Sequence, residues 1–130
     1  MKKIDLVIHV DPLSANQMYI KGRTISQKYQ VYKILVANQI KQSKYTYKRP
    51  IKVDIVVGLK NHKIRDVDNI LKPLLDTLES LYYFEDDCLI YDLQIRKIPS
   101  KSNVLYITIK PINYFTRWIN TIIDKVKKLG

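Results

Sequence analysis

Eight of the chain's twelve acidic residues fall between Asp66 and Asp92: Asp66, Asp68, Asp76, Glu79, Glu85, Asp86, Asp87 and Asp92. One basic residue, Lys72, stands among them, a balance of −7 inside a chain whose net charge is +11. The remaining 22 lysines and arginines meet only four acids, Asp5, Asp11, Asp54 and Asp124. Basic surface holds phosphates, and a compact set of carboxylates holds a divalent cation that acts on them. Mg²⁺ takes oxygen ligands and usually keeps several waters. A cation shared by Asp66, Asp68 and Asp87 would polarise a scissile phosphate and help to generate hydroxide from water. Lys72 would stabilise the added negative charge of the transition state or the leaving oxygen. The same residues also have plainer uses: Asp68 as a helix cap, Asp76 and Glu79 as a solvated helix face, Glu85 to Asp87 as a turn.

The elements that must position these groups can be read from periodicity. Ile51 to Leu59 alternates Ile51, Val53, Ile55, Val57 and Leu59 against Lys52, Asp54, Val56 and Gly58, a strand with one strongly buried face. If the chain after it stays extended, Asp66 and Asp68 share a side, and Asp68 or Asn69 caps a helix carrying Ile70, Leu71, Leu74, Leu75, Leu78 and Leu81. Pro73 belongs in its first turn or two, where the lost backbone hydrogen bond costs little. Lys72 and Asp76, four apart, share a face, with Asn69 a turn before. Glu85-Asp86-Asp87 then stands at the entry to the next strand.

Upstream, Ile4 to Val10 reads as a short strand stopped by Asp11-Pro12. Leu13 to Ile25 reads as a loop, either a plain connector or a strip that touches a phosphate backbone through its polar donors and Tyr19. Ser26 caps a helix over about Gln27 to Gln42, with Tyr29, Tyr32, Val36, Ala37 and Ile40 as its apolar stripe. Ser43 to Pro50, with Tyr45, Tyr47, Lys48 and Arg49, reads as a surface connection. Downstream, Cys88 to Ile98 and Val104 to Ile109 predict two strands joined as a hairpin by Pro99 to Asn103. Pro111 then opens a C-terminal helix, about 112–128, striped by Phe115, Trp118, Ile119, Ile122, Ile123, Val126 and Leu129. That stripe suits core or dimer packing, with Trp118 as its best anchor. The order β-α-β-α-β-β-α predicts a single α+β domain, a small mixed sheet with helices packed on it, over residues 1–130.

The totals narrow the partners. An apolar fraction of 46% with 27% charged argues against disorder. A net charge of +11 points to a polyanion, nucleic acid before anionic membrane, although AT-rich coding also favours lysine. Cys88, the lone cysteine, excludes an intrachain disulfide and a cysteine-based zinc site, and is expected to pack inward. His9 and His62 have no second ligand at metal spacing and read as non-catalytic. No apolar run matches a signal peptide or a bilayer span, so a cytoplasmic protein without a membrane partner is expected.

The stretch D-V-D-N-I-L-K-P-L-L-D-T-L, followed by F-E-D-D-C-L-I-Y-D-L-Q-I-R-K, resembles the RusA family of Holliday junction resolvases. The early segment P-L-S-A-N-Q-M-Y-I-K-G-R-T-I-S is similar to that family's N-terminal loop, so the resemblance runs from Ile4 to about Lys110. It implies a homodimeric endonuclease, dependent on Mg²⁺ with Mn²⁺ as substitute, that cuts four-way DNA junctions by paired nicks in recombination and repair. It implies catalytic roles for Asp66, Asp68, Lys72 and Asp87, with the three aspartates holding the metal, and a DNA contact at Lys97. A phage or prophage origin and a nucleoid-associated location would suit such a protein. The glycine often found before the D-D pair is replaced around Leu81-Tyr82-Tyr83, Thr77 stands where alanine is usual, and the helix from Asn113 onwards lies past the matched part.

The expectation is therefore a dimeric, metal-dependent, structure-selective DNA endonuclease. Its DNA-binding candidates are Asn16, Tyr19, Lys21, Arg23, Arg65, Asn69, Lys97 and Lys101. Two alternatives stand beside it: a branched-DNA clamp that does not cut, and a nuclease of the same chemistry with another nucleic-acid substrate.

Overall fold

A computed structural model describes residues 3–61 and 66–130. In chain order these form β1 (Ile4–Ile8), a 3-10 turn (Ala15–Gln17), β2 (Tyr19–Ile20), β3 (Thr24–Ile25), α1 (Gln27–Ile40) and β4 (Ile51–Leu59). There follow α2 (Val67–Ser80), a second 3-10 turn (Asp87–Leu89), β5 (Ile90–Pro99), β6 (Val104–Pro111) and α3 (Phe115–Leu129). β1, β6, β4 and β5 make one sheet in that order, and β2 pairs with β3 in a small one, an α+β fold as the periodicity predicts. β6 runs antiparallel to both of its neighbours, whereas β4 and β5 are parallel, joined by the crossover through α2.

Alternation decides which face of β4 is inside. Ile51, Val53, Ile55, Val57 and Leu59 are all buried, and Leu105, Ile107 and Ile109 of β6 lie buried on the same side. Tyr29, Tyr32 and Val36 of α1 and Ile70, Leu74 and Leu78 of α2 complete this core. On the opposite side of the sheet Lys52, Asp54 and Val56 are half-buried and Val7 and Tyr106 exposed. Helices therefore back one face of the sheet.

Five sequence expectations change. The predicted β5–β6 hairpin is absent, because β4 sits between the two strands. The most apolar strand gains two bonded neighbours in the centre, while the 100–103 connection arches over its end. There Ser100 N–H donates to Leu59 C=O at 3.0 Å, and Lys60 N–H to Asn103 Oδ1 at 2.8 Å. Gly58 permits this crossing, since a Cβ there would stand 2.9 Å from both Ser100 Cβ and Val104 Cγ1. Leu13 to Ile25 is not a plain loop: buried Leu13 and Met18 anchor it, and Lys21 (φ 49°) and Gly22 (φ 83°) turn β2 into β3. Pro111 closes β6 instead of opening the last helix, which starts at Phe115 after Tyr114 (φ 55°). Cys88 is exposed in the second 3-10 turn, because β5 begins only at Ile90. α1 ends two residues early at Ile40, where Lys41 turns to φ 63° and the Tyr83 hydroxyl sits 2.9 Å from the carbonyls of Ile40 and Lys41.

Candidate active site

Helix α2 is the spine of the acidic stretch. Asp66, and not Asp68 or Asn69 as the sequence suggested, is its extended N-cap residue, without a side-chain cap bond; Asp68 and Asn69 lie in its first turn. A carboxylate there meets the positive end of the helix dipole. Leu74, Leu78 and Ile70 turn inward, which leaves the Asp68, Lys72, Asp76, Glu79 row along another face. Pro73 is the seventh helical residue, and the buried Thr77 hydroxyl donates to its carbonyl at 2.7 Å.

Around the second half of this row the charges converge. Lys72 Nζ pairs with Asp76 Oδ2 at 3.1 Å, with the lysine side chain 61% exposed and the carboxylate 28%. Asp87 is brought in by its own N–H, which donates to Glu79 Oε1 at 2.9 Å. Asp86 caps the following turn, accepting from the Cys88 N–H at 2.8 Å. Glu79, Asp86 and Asp87 can place one carboxylate oxygen each within 4.8 Å of one another, the one group of three acids, among the described residues, close enough for a shared cation.

The titration shifts follow from this crowding. Burial first, then the Asp86 hydrogen bond and charge and the Asp76 charge, hold the Asp87 carboxyl above its usual range, with Lys72 opposing. Asp86 is held below it, chiefly by the Cys88 N–H. The hydrogen bond and charge of Asp76 raise the Lys72 ammonium, so it stays charged, and Asp87 adds to the same field. Asp86 in turn raises the Cys88 thiol, which disfavours a thiolate nucleophile.

The N-terminal segment reaches the same place. Tyr19 lies close enough to add to the field at Lys72, and its ring meets Tyr29 edge-on at 6.3 Å. The Ala15–Gln17 turn packs against α2. The structure therefore brings Tyr19, Lys72, Asp76, Glu79, Asp86 and Asp87 together. Asp66 and Asp68 stand towards the other end of α2, about 12 Å from Asp68 to Asp76 at 1.5 Å per residue. They do not join the three-acid group in this arrangement. Asn16, Lys21 and Arg23 are exposed on the segment that carries Tyr19, and half-buried Asn69 sits in the first turn of α2. Lys97 is half-buried on β5, on the face that α2 covers, and Lys101 is exposed on the connection over β4. Arg65 and His62 lie outside the described residues. His9 is exposed, its backbone bonded both ways to the Gln39 amide.

Sequence reasoning gave Glu79 and Asp86 no ligand role. Glu79 read as a solvated helix face, yet its position three residues after Asp76, ahead of a short turn back to Asp87, is what sets it beside the D-D pair.

Comparison with known proteins places residues 10–110 in a match to the family model described as Endodeoxyribonuclease RusA. A protein of Enterobacteria phage 82 named Crossover junction endodeoxyribonuclease rusA is 34% identical over 104 residues, covering 75% of this chain and 87% of its own. One of the same name from Escherichia coli is 32% identical over 104 residues, with the same coverage. Another, from Aquifex aeolicus, is 37% identical over 62 residues, about half of each chain (47% and 49%).

Proposed function

The chain belongs to the RusA endodeoxyribonuclease family, and from its site we propose that it is a divalent-metal-dependent endonuclease that resolves four-way DNA junctions by paired nicks. The observation that carries this reading is the convergence of Tyr19, Lys72, Asp76 and Asp87 at one end of a −7 stretch in a basic chain. A DNA backbone drawn to basic surface would meet clustered carboxylates here, and clustered carboxylates beside phosphates call for a cation.

An all-oxygen donor set fits Mg²⁺ or Mn²⁺ and no softer metal. Asp87 is the residue common to the set implied by the family resemblance (Asp66, Asp68, Asp87) and to the compact group (Glu79, Asp86, Asp87), and we assign it as the central ligand. When bound, the cation supplies Lewis-acid polarisation of the phosphate and a more acidic water. Asp66 and Asp68, at the N-terminal end of α2, are the rival ligand pair that the family resemblance implies beside Asp87, outside the compact group. Lys72 faces the charge that develops on the phosphate and the leaving oxygen, and Asp76 holds its ammonium in place and protonated. Tyr19 beside it, with Asn16, Lys21, Arg23, Arg65, Asn69, Lys97 and Lys101, holds and steers the DNA. The whole chain acts as one domain, in a homodimer whose two sites address opposed strands of the junction. Among the described residues no helix is long and apolar enough to cross a membrane, which suits a nucleoid-associated enzyme.

The test is cleavage of a labelled synthetic four-way junction, with Mg²⁺ and with chelator, by the wild type, Asp68→Asn and Asp87→Asn. Symmetric nicks that need metal and vanish in both variants, with junction binding kept, are expected. Tight binding with no cut in any metal would make the protein a clamp. Equal cutting of linear duplex or RNA would remove the junction from the claim.

A further inference from the structure

The four-stranded sheet ends on one side in β1, five residues long, and on the other in β5, which is ten. Among the described strands β5 bonds only to β4, so the backbone groups along its outer side have no strand partner. An edge of this length is normally blunted by proline, by charge or by a cover, because it otherwise pairs with another chain. Here proline comes only at Pro99, and Tyr91 (53%), Leu93 (39%) and Ile98 (42%) are exposed along it. The base of α3 is fixed to the same strand, with Phe115 edge-on to Tyr91 at 5.1 Å and Trp118 stacked on Phe115 at 5.8 Å. Beyond that anchor none of α3 is buried, and Ile122, Ile123 and Val126 stay exposed. Tyr91 and Leu93 at this edge and the stripe of α3 are thus left uncovered, while Ile98, opposite Gly58, is exposed on the other side of the sheet; the helix lies past residues 10–110 and outside what the family match explains.

The order of side chains on β5 says what covers it. Leu93 and Ile95, opposite Val53 and Ile55, share the helix-bearing face; Asp92 and Arg96, opposite Lys52 and Val56, share the other. We propose that a second copy of this chain pairs antiparallel along β5, about a two-fold axis at Gln94, with α3 of each copy extending the contact. That register sets Asp92 of each copy against Arg96 of the other and Leu93 against Ile95, each twice, with Gln94 facing Gln94. Two-fold pairing keeps each face with itself. Moving the axis by one residue therefore sets Asp92 against Gln94 or Ile98 and loses both ion pairs. Opposite charges and apolar pairs directly across a ladder are the contacts that stabilise it, and like charges the ones that oppose it. In a single copy the Arg96 guanidinium turns instead to Gln94 Oε1, at 3.1 Å. The inference deepens the dimeric reading above and rests on it for the number of copies.

Sedimentation velocity of the full chain without DNA tests the surface independently of cleavage. The wild type, 15.4 kDa per chain, sediments as a dimer. Arg96→Asp sets two carboxylates face to face at both ends of the ladder and raises the dimer dissociation constant at least about tenfold. Ile123→Asp raises it through the helix. Asp92→Arg combined with Arg96→Asp restores opposite charges with the sides exchanged, and brings the constant back to within about threefold of wild type. A merely structural loss would not be rescued by the exchange, and circular dichroism reports whether each variant is folded. A dimer that Arg96→Asp leaves unmoved, or that the exchange fails to restore in a folded protein, overturns this surface and leaves the dimer standing. A wild type that stays monomeric at about 100 μM, far above a useful affinity, overturns both.

Discussion

Removing Lys72 separates the chemistry from the scaffold. Its ammonium pairs with Asp76 at 3.1 Å, and its side chain is 61% exposed. An exposed pair four residues apart on a helix contributes roughly 0.3–0.5 kcal/mol, less here because the lysine precedes the acid. Lys72→Ala should then lower Tm by no more than about 1–3 °C. Its effect on the reaction should be much larger. Deleting one preorganised donor aimed at developing charge costs about 10²–10³ in turnover, and the exposure of Lys72 places it near the lower bound, about 2.7 kcal/mol. Single-turnover cleavage of a saturating labelled junction in Mg²⁺, with binding measured in parallel by gel retardation, gives both quantities. A rate down about 100-fold with the dissociation constant within a few-fold of wild type is expected. Arginine keeps the charge on a wider fork, so Lys72→Arg should recover only part of the rate. Cutting at the wild-type rate by Lys72→Ala refutes the assignment. A loss that falls wholly on binding would make Lys72 a phosphate contact and nothing more.

Glu79→Gln and Asp68→Asn separate the two ligand sets: a Mn²⁺ titration followed by calorimetry should weaken at least about tenfold for whichever set binds the ion, and Asp87→Asn should weaken it in either case. An Asp87 carboxyl that titrates above its ordinary range, through burial first and the Asp86 and Asp76 charges next, costs stability once it is charged. Without metal, Asp87→Asn should therefore raise Tm slightly at neutral pH, and the gain should fade as pH falls through the raised value towards the ordinary carboxylate range. Thermal scans in chelator at several pH values check the sign, and a gain that grows on acidification would refute it. Gly58→Val should cost about 1–3 kcal/mol by forcing apart the contacts with Ser100 and Val104, read by denaturant unfolding. Lys21→Ala with Arg23→Ala should flatten the salt dependence of junction binding by about two phosphate contacts, a slope change near 1.8, if both touch the backbone.

How much of this was legible follows from how local each signal is. β4 reads correctly to the residue, because its five inward positions alternate without a fault over nine residues. Ser26 as the cap of α1 is equally local, its hydroxyl accepting the Tyr29 N–H at 3.1 Å. The β5–β6 connection could not be read the same way. A short turn between two strands has hairpin length whether they pair or straddle a third, and only the competition among strands for the central place decides. β2 and β3, two residues each, hold no period at all. The site divides along the same line. Lys72 with Asp76 is a spacing on one helix, whereas Asp87 beside Glu79 depends on how the chain returns after Ser80.

That return explains how so many acids are held together in the folded chain. The residues between α2 and Asp87 are tied down by groups outside the acidic set: Tyr83 N–H donates to Leu78 C=O at 3.1 Å, and Glu85 N–H to Tyr47 C=O at 3.0 Å. Tyr83 and Phe84 are buried between these bonds. The apolar core therefore fixes the path of the backbone, and the carboxylates are carried to the surface by it, with Lys72 opposing their charge. Charge repulsion held in place by packing is the condition under which a divalent ion adds most, since it neutralises groups that cannot move apart. With the repulsion carried by the core, the proposed cation would be required for the reaction while the fold forms through its own packing. Chelator should accordingly abolish cutting while lowering Tm only by the small binding contribution of the ion at its working concentration, and a chelated protein that unfolds would refute this division of labour.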